Sequence, residues 1–139
     1  MMTPITVRSR AHRTLRKLSN FSMDGANLDP IVGQFALRPE EELIGAYQNP
    51  QPTLRWVVVT SLGLHSIEAG GSRYVPFNSI AQVDASDKAD VAGDLVLSLA
   101  SGERIVIPIR GGDGRFKDVF EFKRFLARVL EDQSGRSEA

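Results

Sequence analysis

The sequence predicts a mainly β fold: an antiparallel barrel or orthogonal sandwich of seven short strands, capped by a C-terminal α-helix. Seven apolar or β-branched runs follow one another between turn residues, and no helical pattern separates them. Near the C-terminus, apolar residues recur at three- and four-residue spacing, which is typical of a helix that covers a sheet. A meander of this kind must curl on itself to bury one face, so a barrel or sandwich is expected.

The seven predicted strands are separated by proline- or glycine-containing turns or by a polar loop. Pro50 and Pro52 end the first strand because proline cannot continue a ladder of backbone hydrogen bonds. Glycines mark the later hairpin turns. The strands are predicted at Leu43 to Tyr47, Leu54 to Thr60, Leu64 to Ile67, Arg73 to Pro76, Ile80 to Ala85, Leu95 to Leu99 and Arg104 to Ile109.

The closing helix is predicted to end near Asp132, and residues 133–139 are predicted to form a disordered tail. Its core stripe consists of Val119, Phe122, Leu126 and Val129, with Phe125 and Leu130 beside them. Phe120 lies at least about 120° from the centre of this stripe. It either packs beneath the N-terminal arm, which we favour, or helps to form an interface.

Residues 1–41 are predicted to form a basic helical arm and linker in front of a domain at 42–132. From Ser9 to Ser22 apolar residues fall on one side of a helical period and cations on the other. A short second helical turn is expected at Pro30 to Phe35. The simplest interpretation is a helix that docks on the domain; the alternatives are a partner-binding or membrane-binding helix. The residues that would bind are Arg8, Arg10, Arg13, Arg16 and Lys17.

Charge and composition exclude several classes of function. The chain has no cysteine, so disulfides and thiolate chemistry are absent. Its formal net charge is zero, which gives no support to a nucleic-acid partner. Residues 1 to 23 nevertheless carry five cations and no acid, so the rest of the chain carries the compensating negative charge. No apolar run reaches the roughly 18 residues that span a bilayer, so a cytoplasmic protein is expected.

Candidate catalytic and metal-binding residues are few. The chain has two histidines, His12 and His65, too few for a histidine metal cluster, and His65 is expected to point outward from its strand. Glu40, Glu41 and Glu42 are expected to form a solvated face, or to pair with the basic arm of a second copy. The glycine-rich segment 111–114 is predicted to be a loop in which Asp113 caps the helix. We therefore expect no enzyme activity, no metal and no cofactor.

Three segments resemble bacterial domains of the pleckstrin-homology (PH)-like superfold. Residues 56–64, WVVVTSLGL, are similar to a strand and turn of these domains, residues 75–80, VPFNSI, to the following step, and residues 122–126, FKRFL, to their closing helix. The resemblance covers about residues 42–132 and implies the seven-stranded fold with its helix. Lipid-binding PH domains of the eukaryotic type hold inositol phosphates with lysines and arginines in the loop between their first two strands. The corresponding loop here, residues 48–53, contains no cation, so the resemblance does not imply a phosphoinositide site of this type.

These observations predict a non-enzymatic binding or scaffold module. It would act through a partner protein or through self-association as a homo-oligomer, and an open sheet edge could accept a peptide strand. The alternative is peripheral attachment of the basic arm to an anionic membrane. An unrecognised enzyme is the third possibility.

Overall fold

The computed structural model of the chain describes residues 4–16, 18, 20–23, 37–49, 56–68, 71–85, 94–109 and 117–138. It is mainly β, with two antiparallel sheets and a C-terminal helix. Along the chain, its elements are α1 (Pro4–Thr14), β1 (Phe21–Ser22), β2 (Leu43–Gln48), β3 (Trp56–Thr60), β4 (Gly63–Glu68), β5 (Gly71–Pro76), a 3-10 turn (Phe77–Ser79), β6 (Ile80–Ala85), β7 (Asp94–Leu99), β8 (Arg104–Pro108) and α2 (Lys117–Glu138).

The first sheet has five strands in the order β1-β2-β3-β4-β5. Its ladder is irregular between Leu43 and Gly45. A side chain at Gly45 would meet the Phe21 ring at 2.6 Å, and one at Gly63 would meet the Val75 carbonyl oxygen at 2.3 Å. Neighbouring strands approach these two positions so closely that a residue with a side chain would displace them, which explains the glycines.

The second sheet has three strands in the order β6-β7-β8. Its β7–β8 hairpin turns at residues 100–102, where Gly102 has a φ of +96° that disfavours other residues. No strand pairing joins the two sheets within the described residues, so of the barrel and the sandwich that the sequence leaves open, a closed barrel is not formed. The turn residues that separate strands do not determine whether the first and last edges of a meander meet.

Both sheets and both helices contribute to one main apolar core. Four residues of α2, Val119, Phe122, Leu126 and Val129, are fully buried, as their spacing predicts. The ring of Phe122 meets the rings of Phe21 and Tyr47 edge to face, at centroid distances of 6.2 and 5.3 Å. The helix therefore holds the N-terminal segment and the first sheet together.

A second apolar cluster lies on the other face of the first sheet. In β3, Val57 and Val59 join the main core, whereas Val58 joins the second cluster with Ala46 and Ile67. Side chains alternate between the two faces of a strand, so the continuous apolar run in β3 reflects a strand that is covered on both sides.

The N-terminal segment differs from the helix predicted at Ser9 to Ser22. The helix occupies Pro4–Thr14, and β1 (Phe21–Ser22) pairs with β2, which brings the number of strands among the described residues to eight. Asn20 O accepts a hydrogen bond from Gln48 N at 3.0 Å. Pairing with the edge of β2 satisfies backbone groups that a longer helix would leave exposed. The buried residues of this segment are Val7, Ala11, Leu15, Leu18 and Phe21.

Two other predictions concern the linker before β2 and the C-terminal tail. The helical turn expected at Pro30 to Phe35 lies outside the described residues. α2 continues through Glu138, into the segment for which the sequence predicts a disordered tail. Within the described part of the chain, no helix combines the length and apolar character that crossing a bilayer requires.

Candidate interaction surfaces and a buried polar cluster

Two of the five predicted binding cations hold α1 on the domain. The Arg10 guanidinium donates two hydrogen bonds to the Asp132 carboxylate of α2, each 2.9 Å long. The hydrogen bond to Asp132 raises the pKa of Arg10 above its ordinary value. Arg8 pairs with Glu42 at 3.0 Å and also donates to the Leu43 carbonyl oxygen at 3.3 Å. These two arginines therefore orient the helix relative to β2 and α2.

Three basic side chains, His12, Arg13 and Arg16, border a groove beside α1. Arg13, Arg16 and His12 are exposed, and within the described part of the chain neither arginine forms an ion pair. Lys17 lies outside the described residues. The groove has a volume of about 490 Å³, and we call it the basic groove. It is lined by Arg8, Ser9, His12, Arg13, Arg16 and Met23.

Phe120 lies on the side of α2 that faces away from the core stripe. It keeps 41% of its surface exposed, whereas its neighbour Val119 is fully buried. The ring is therefore only partly covered. Both its packing beneath the N-terminal arm and its part in an interface stay predictions.

A buried polar cluster on the second face of the first sheet was missed by the sequence analysis. His65 is 3% exposed and the Glu41 side chain is fully enclosed, so the expectations of an outward histidine and a solvated Glu41 are wrong. The His65 Nε2 lies 2.8 Å from Glu41 Oε2. Because an ionised carboxylate only accepts hydrogen bonds, His65 is the donor.

Two further groups complete the hydrogen bonds of Glu41. Thr60 Oγ1 donates to Glu41 Oε2, and the Arg38 backbone N–H donates to Glu41 Oε1 at 3.0 Å. Burial by itself would raise the pKa of Glu41, but the hydrogen bonds from Thr60, Arg38 and His65 together lower it below the ordinary value. Glu41 is therefore held as a carboxylate inside the protein.

Aromatic and cationic groups cover this cluster. The Tyr74 ring lies beside the His65 ring with centroids 4.8 Å apart, and the Arg38 guanidinium lies 3.7 Å above the centroid of Tyr74. Burial, followed by the negative charge of Glu41, raises the pKa of Tyr74. Thr60 Oγ1 also accepts the N–H groups of Leu62 and Gly63, each at 3.2 Å. Through the hydrogen bonds of Glu41, the cluster holds residues 38–41 against the β3–β4 hairpin.

A single sequence contains only a weak signal for this cluster. Glu41 lies between two other glutamates, and such runs are usually solvated. His65 alternates with Leu64 in a strand, and one face of a half-exposed strand is polar. The useful signal was the continuous apolar run of β3, which indicates a sheet covered on both faces and hence an enclosed position for His65 opposite Val58.

A second buried polar contact joins α2 to the first sheet. The Tyr47 hydroxyl donates a 2.7 Å hydrogen bond to the Asp118 carboxylate, and both side chains are buried. Asp118 lies in the first turn of α2, where a carboxylate is favoured by the helix dipole. The predicted cap, Asp113, lies outside the described residues.

The described residues contain no group of three histidine or acidic side chains that could hold a metal ion. Comparison with protein-family models and with curated proteins finds no match to this chain. A function for this chain is therefore inferred from the chemistry of its own residues.

Proposed function

We propose that this protein is a PH-like, non-enzymatic binding module that uses its basic groove to bind an acidic segment of a partner protein. The order of short strands followed by a closing helix supports the PH-like assignment, together with the resemblance at residues 56–64, 75–80 and 122–126. The observation that carries the binding proposal is the different environment of the cations in residues 8–16, which cover α1 and the turn after it. Arg8 and Arg10 anchor the helix, and Arg13 and Arg16 remain exposed.

The groove suits a peptide because it combines fixed charge with apolar surface. Arginine stems and Met23 provide apolar contacts, and the guanidinium groups can each form paired hydrogen bonds with a carboxylate. Arg13 lies on α1, which is already held by a two-bond contact with Asp132, and Arg16 lies in the turn that follows, where its backbone N–H donates to Ala11 O at 3.2 Å. A partner would therefore have to order the side chains of these arginines but not the backbone that carries them.

An acidic protein segment is favoured over an anionic membrane. Membrane-surface helices insert an apolar face between the lipid head groups. The apolar face of this segment is unavailable for this role, because Val7 and Ala11 of α1 and Leu15 directly after it are fully buried in the domain. Lipid binding would then depend on charge alone and would weaken steeply with salt.

Self-association through the glutamate run has less support. Arg8 pairs with Glu42 of its own chain, and Glu41 is enclosed with His65. Of the three glutamates, Glu40 alone is both exposed and outside the ion pairs of the described residues. The acidic run therefore offers a second copy little unpaired charge.

An enzymatic function also has less support. Glu41 and His65 are the kind of pair that can move a proton, but a general base must reach the substrate. Their side chains are 0% and 3% exposed, so substrate has no access to them.

The test is a charge-reversal comparison. We expect the double variant Arg13→Glu/Arg16→Glu to bind a short glutamate-rich peptide at least about tenfold more weakly than the parent protein, because two favourable contacts become repulsive. The matched control is Arg124→Glu/Arg128→Glu, which places the same charge change on exposed residues of α2. The control should bind within about twofold of the parent.

The same variants test the membrane alternative with phosphatidylserine vesicles at low and physiological salt. Equal peptide binding by both double variants would contradict a site in the basic groove. Vesicle binding that persists at physiological salt and is lost only in Arg13→Glu/Arg16→Glu would instead support membrane attachment.

A further inference from the structure

Each sheet has an edge strand, β5 or β8, that pairs with no further strand of the described residues, and these two edges border an open groove. It has a volume of about 500 Å³ and lies between β5, the last strand of the first sheet, and β8, the last strand of the second. We call it the edge groove. Its lining includes Ser66, Gly71, Ser72, Arg73, Arg104 and Val106.

The register shows which backbone groups of β8 point away from its sheet. Leu99 N donates to Glu103 O at 2.8 Å, so these residues form a hydrogen-bonded pair. Such pairs alternate along an antiparallel ladder, and Leu97–Ile105 and Leu95–Ile107 are therefore also hydrogen-bonded. It follows that the N–H and C=O groups of Arg104 and Val106 point outward, toward the free edge.

The same alternation identifies the backbone groups of β5 that point away from the first sheet. Phe77 N donates to Leu62 O at 2.9 Å, so the outward groups of β5 belong to Ser72 and Tyr74. Each edge ends at a proline in an outward position, Pro76 in β5 and Pro108 in β8. A proline there lacks the outward N–H and limits the length of strand that can pair.

The side chains of β8 specify the chemistry of an added strand. Val106 is 56% exposed, more than the other exposed large apolar residues of the described chain, Leu37 and Phe120. Arg104 is exposed and forms no ion pair within the described residues. Arg73 of β5 pairs across the groove with Glu103, which leaves Arg104 as the uncompensated charge. The groove therefore favours an acidic ligand.

We propose that the β8 edge of this groove binds an extended partner segment with an acidic residue and a β-branched residue two positions apart. Backbone hydrogen bonds with Arg104 and Val106 add the segment to the sheet as a fourth strand. Residues two apart lie on the same face of a strand, so the acid faces Arg104 and the β-branched residue faces Val106. This surface is separate from the basic groove and does not depend on the function proposed for it.

The test uses synthetic peptides with a central Glu-Thr-Val or Val-Thr-Glu sequence between threonines, followed by NMR titration of the full chain. We expect one of the two orders to shift the Arg104 and Val106 amide signals and to slow exchange of the Val106 N–H. Replacing glutamate by lysine, or N-methylating the peptide backbone, should weaken binding at least about tenfold. Binding of the lysine peptide at equal strength would overturn the proposed charge recognition.

Two variants distinguish the groove from nonspecific binding. Val106→Pro removes an outward N–H without touching the β7–β8 ladder, and Arg104→Glu reverses the charge. Each should weaken binding at least about tenfold while circular dichroism stays unchanged. Arg124→Glu, on α2, is the matched control and should bind like the parent protein. Failure of both peptides to shift these amides, or unchanged binding by both groove variants, would overturn the proposal.

Discussion

At the scale of single residues, the buried pair of Glu41 and His65 contributes to the stability of this fold. Both are enclosed on the second face of the first sheet, where Thr60 and the Arg38 N–H complete the hydrogen bonds of the carboxylate. A buried charge is tolerated because it is paired and fully hydrogen-bonded. The cluster holds the segment before β2 against the β3–β4 hairpin. Loss of the Glu41 hydrogen bonds would therefore affect the packing of β2, β3 and β4.

We predict that Glu41→Gln lowers the free energy of unfolding at neutral pH by about 1 to 3 kcal/mol, because the charged acceptor is lost. The folded-state pKa of Glu41 is below its unfolded value of about 4.5. Its contribution is therefore present above that unfolded value and is lost as pH falls through the folded pKa. Chemical denaturation across this pH range measures the difference between variant and parent.

The neighbouring variant Glu40→Gln is the control, because Glu40 is exposed. It should change the free energy of unfolding by less than about 0.5 kcal/mol. A difference between Glu41→Gln and the parent that stays constant from neutral to acidic pH would contradict the role assigned to the Glu41 charge.

At the scale of elements, the contact between α1 and α2 links the two ends of the chain. Arg10 and Asp132 form a two-bond ion pair with side chains 28% and 17% exposed. Partial burial and two parallel hydrogen bonds make such a pair stronger than an exposed one. The pair positions α1, and with it the exposed arginines of the basic groove.

We predict a coupling energy of about 1 kcal/mol between Arg10→Gln and Asp132→Asn in a double-mutant cycle. The measurement is the free energy of unfolding of the two single variants and the double variant. Arg128 and Glu131 provide the comparison, since they lie 3.7 Å apart with side chains 58% and 68% exposed. Their coupling should be close to zero; equal coupling in both pairs would argue against a special role for the α1–α2 contact.

At the scale of the whole molecule, the N-terminal segment belongs to the same core as the sheets. Five of its apolar residues are buried, and β1 forms the edge of the first sheet. The PH-like resemblance begins near residue 42 and does not explain this segment. Arg8, Arg10 and Arg13 therefore lie on a helix whose other side stabilises the fold.

We predict that a chain beginning at Glu40 loses cooperative thermal unfolding. It lacks Val7, Leu15, Leu18 and Phe21, and each large buried side chain contributes about 1.5 to 3 kcal/mol. Their sum is comparable to the 5 to 15 kcal/mol by which a typical domain is stable. Thermal unfolding followed by circular dichroism is the measurement, with Arg13→Glu/Arg16→Glu in the full chain as a control that keeps a cooperative transition.

A shortened chain that unfolds cooperatively at the midpoint of the full chain would show that the segment is dispensable for the core. The result also decides which variants suit binding experiments. If the shortened chain is unfolded, its loss of binding carries no information about the basic groove, and charge reversal is the appropriate change.

Local pattern by itself determined the elements from Leu43 onward to a good approximation. Ile80–Ala85 agrees with its predicted bounds, and the stripe of Val119, Phe122, Leu126 and Val129 is buried. These features depend on residue spacing along a single element, so a sequence contains them. Tertiary structure decided the enclosure of Glu41 and His65, the pairing of Phe21–Ser22 with β2, and the separation of the sheets into five and three strands. Each of these depends on a neighbour distant in sequence that covers a face or satisfies an edge, which the spacing within one segment does not specify.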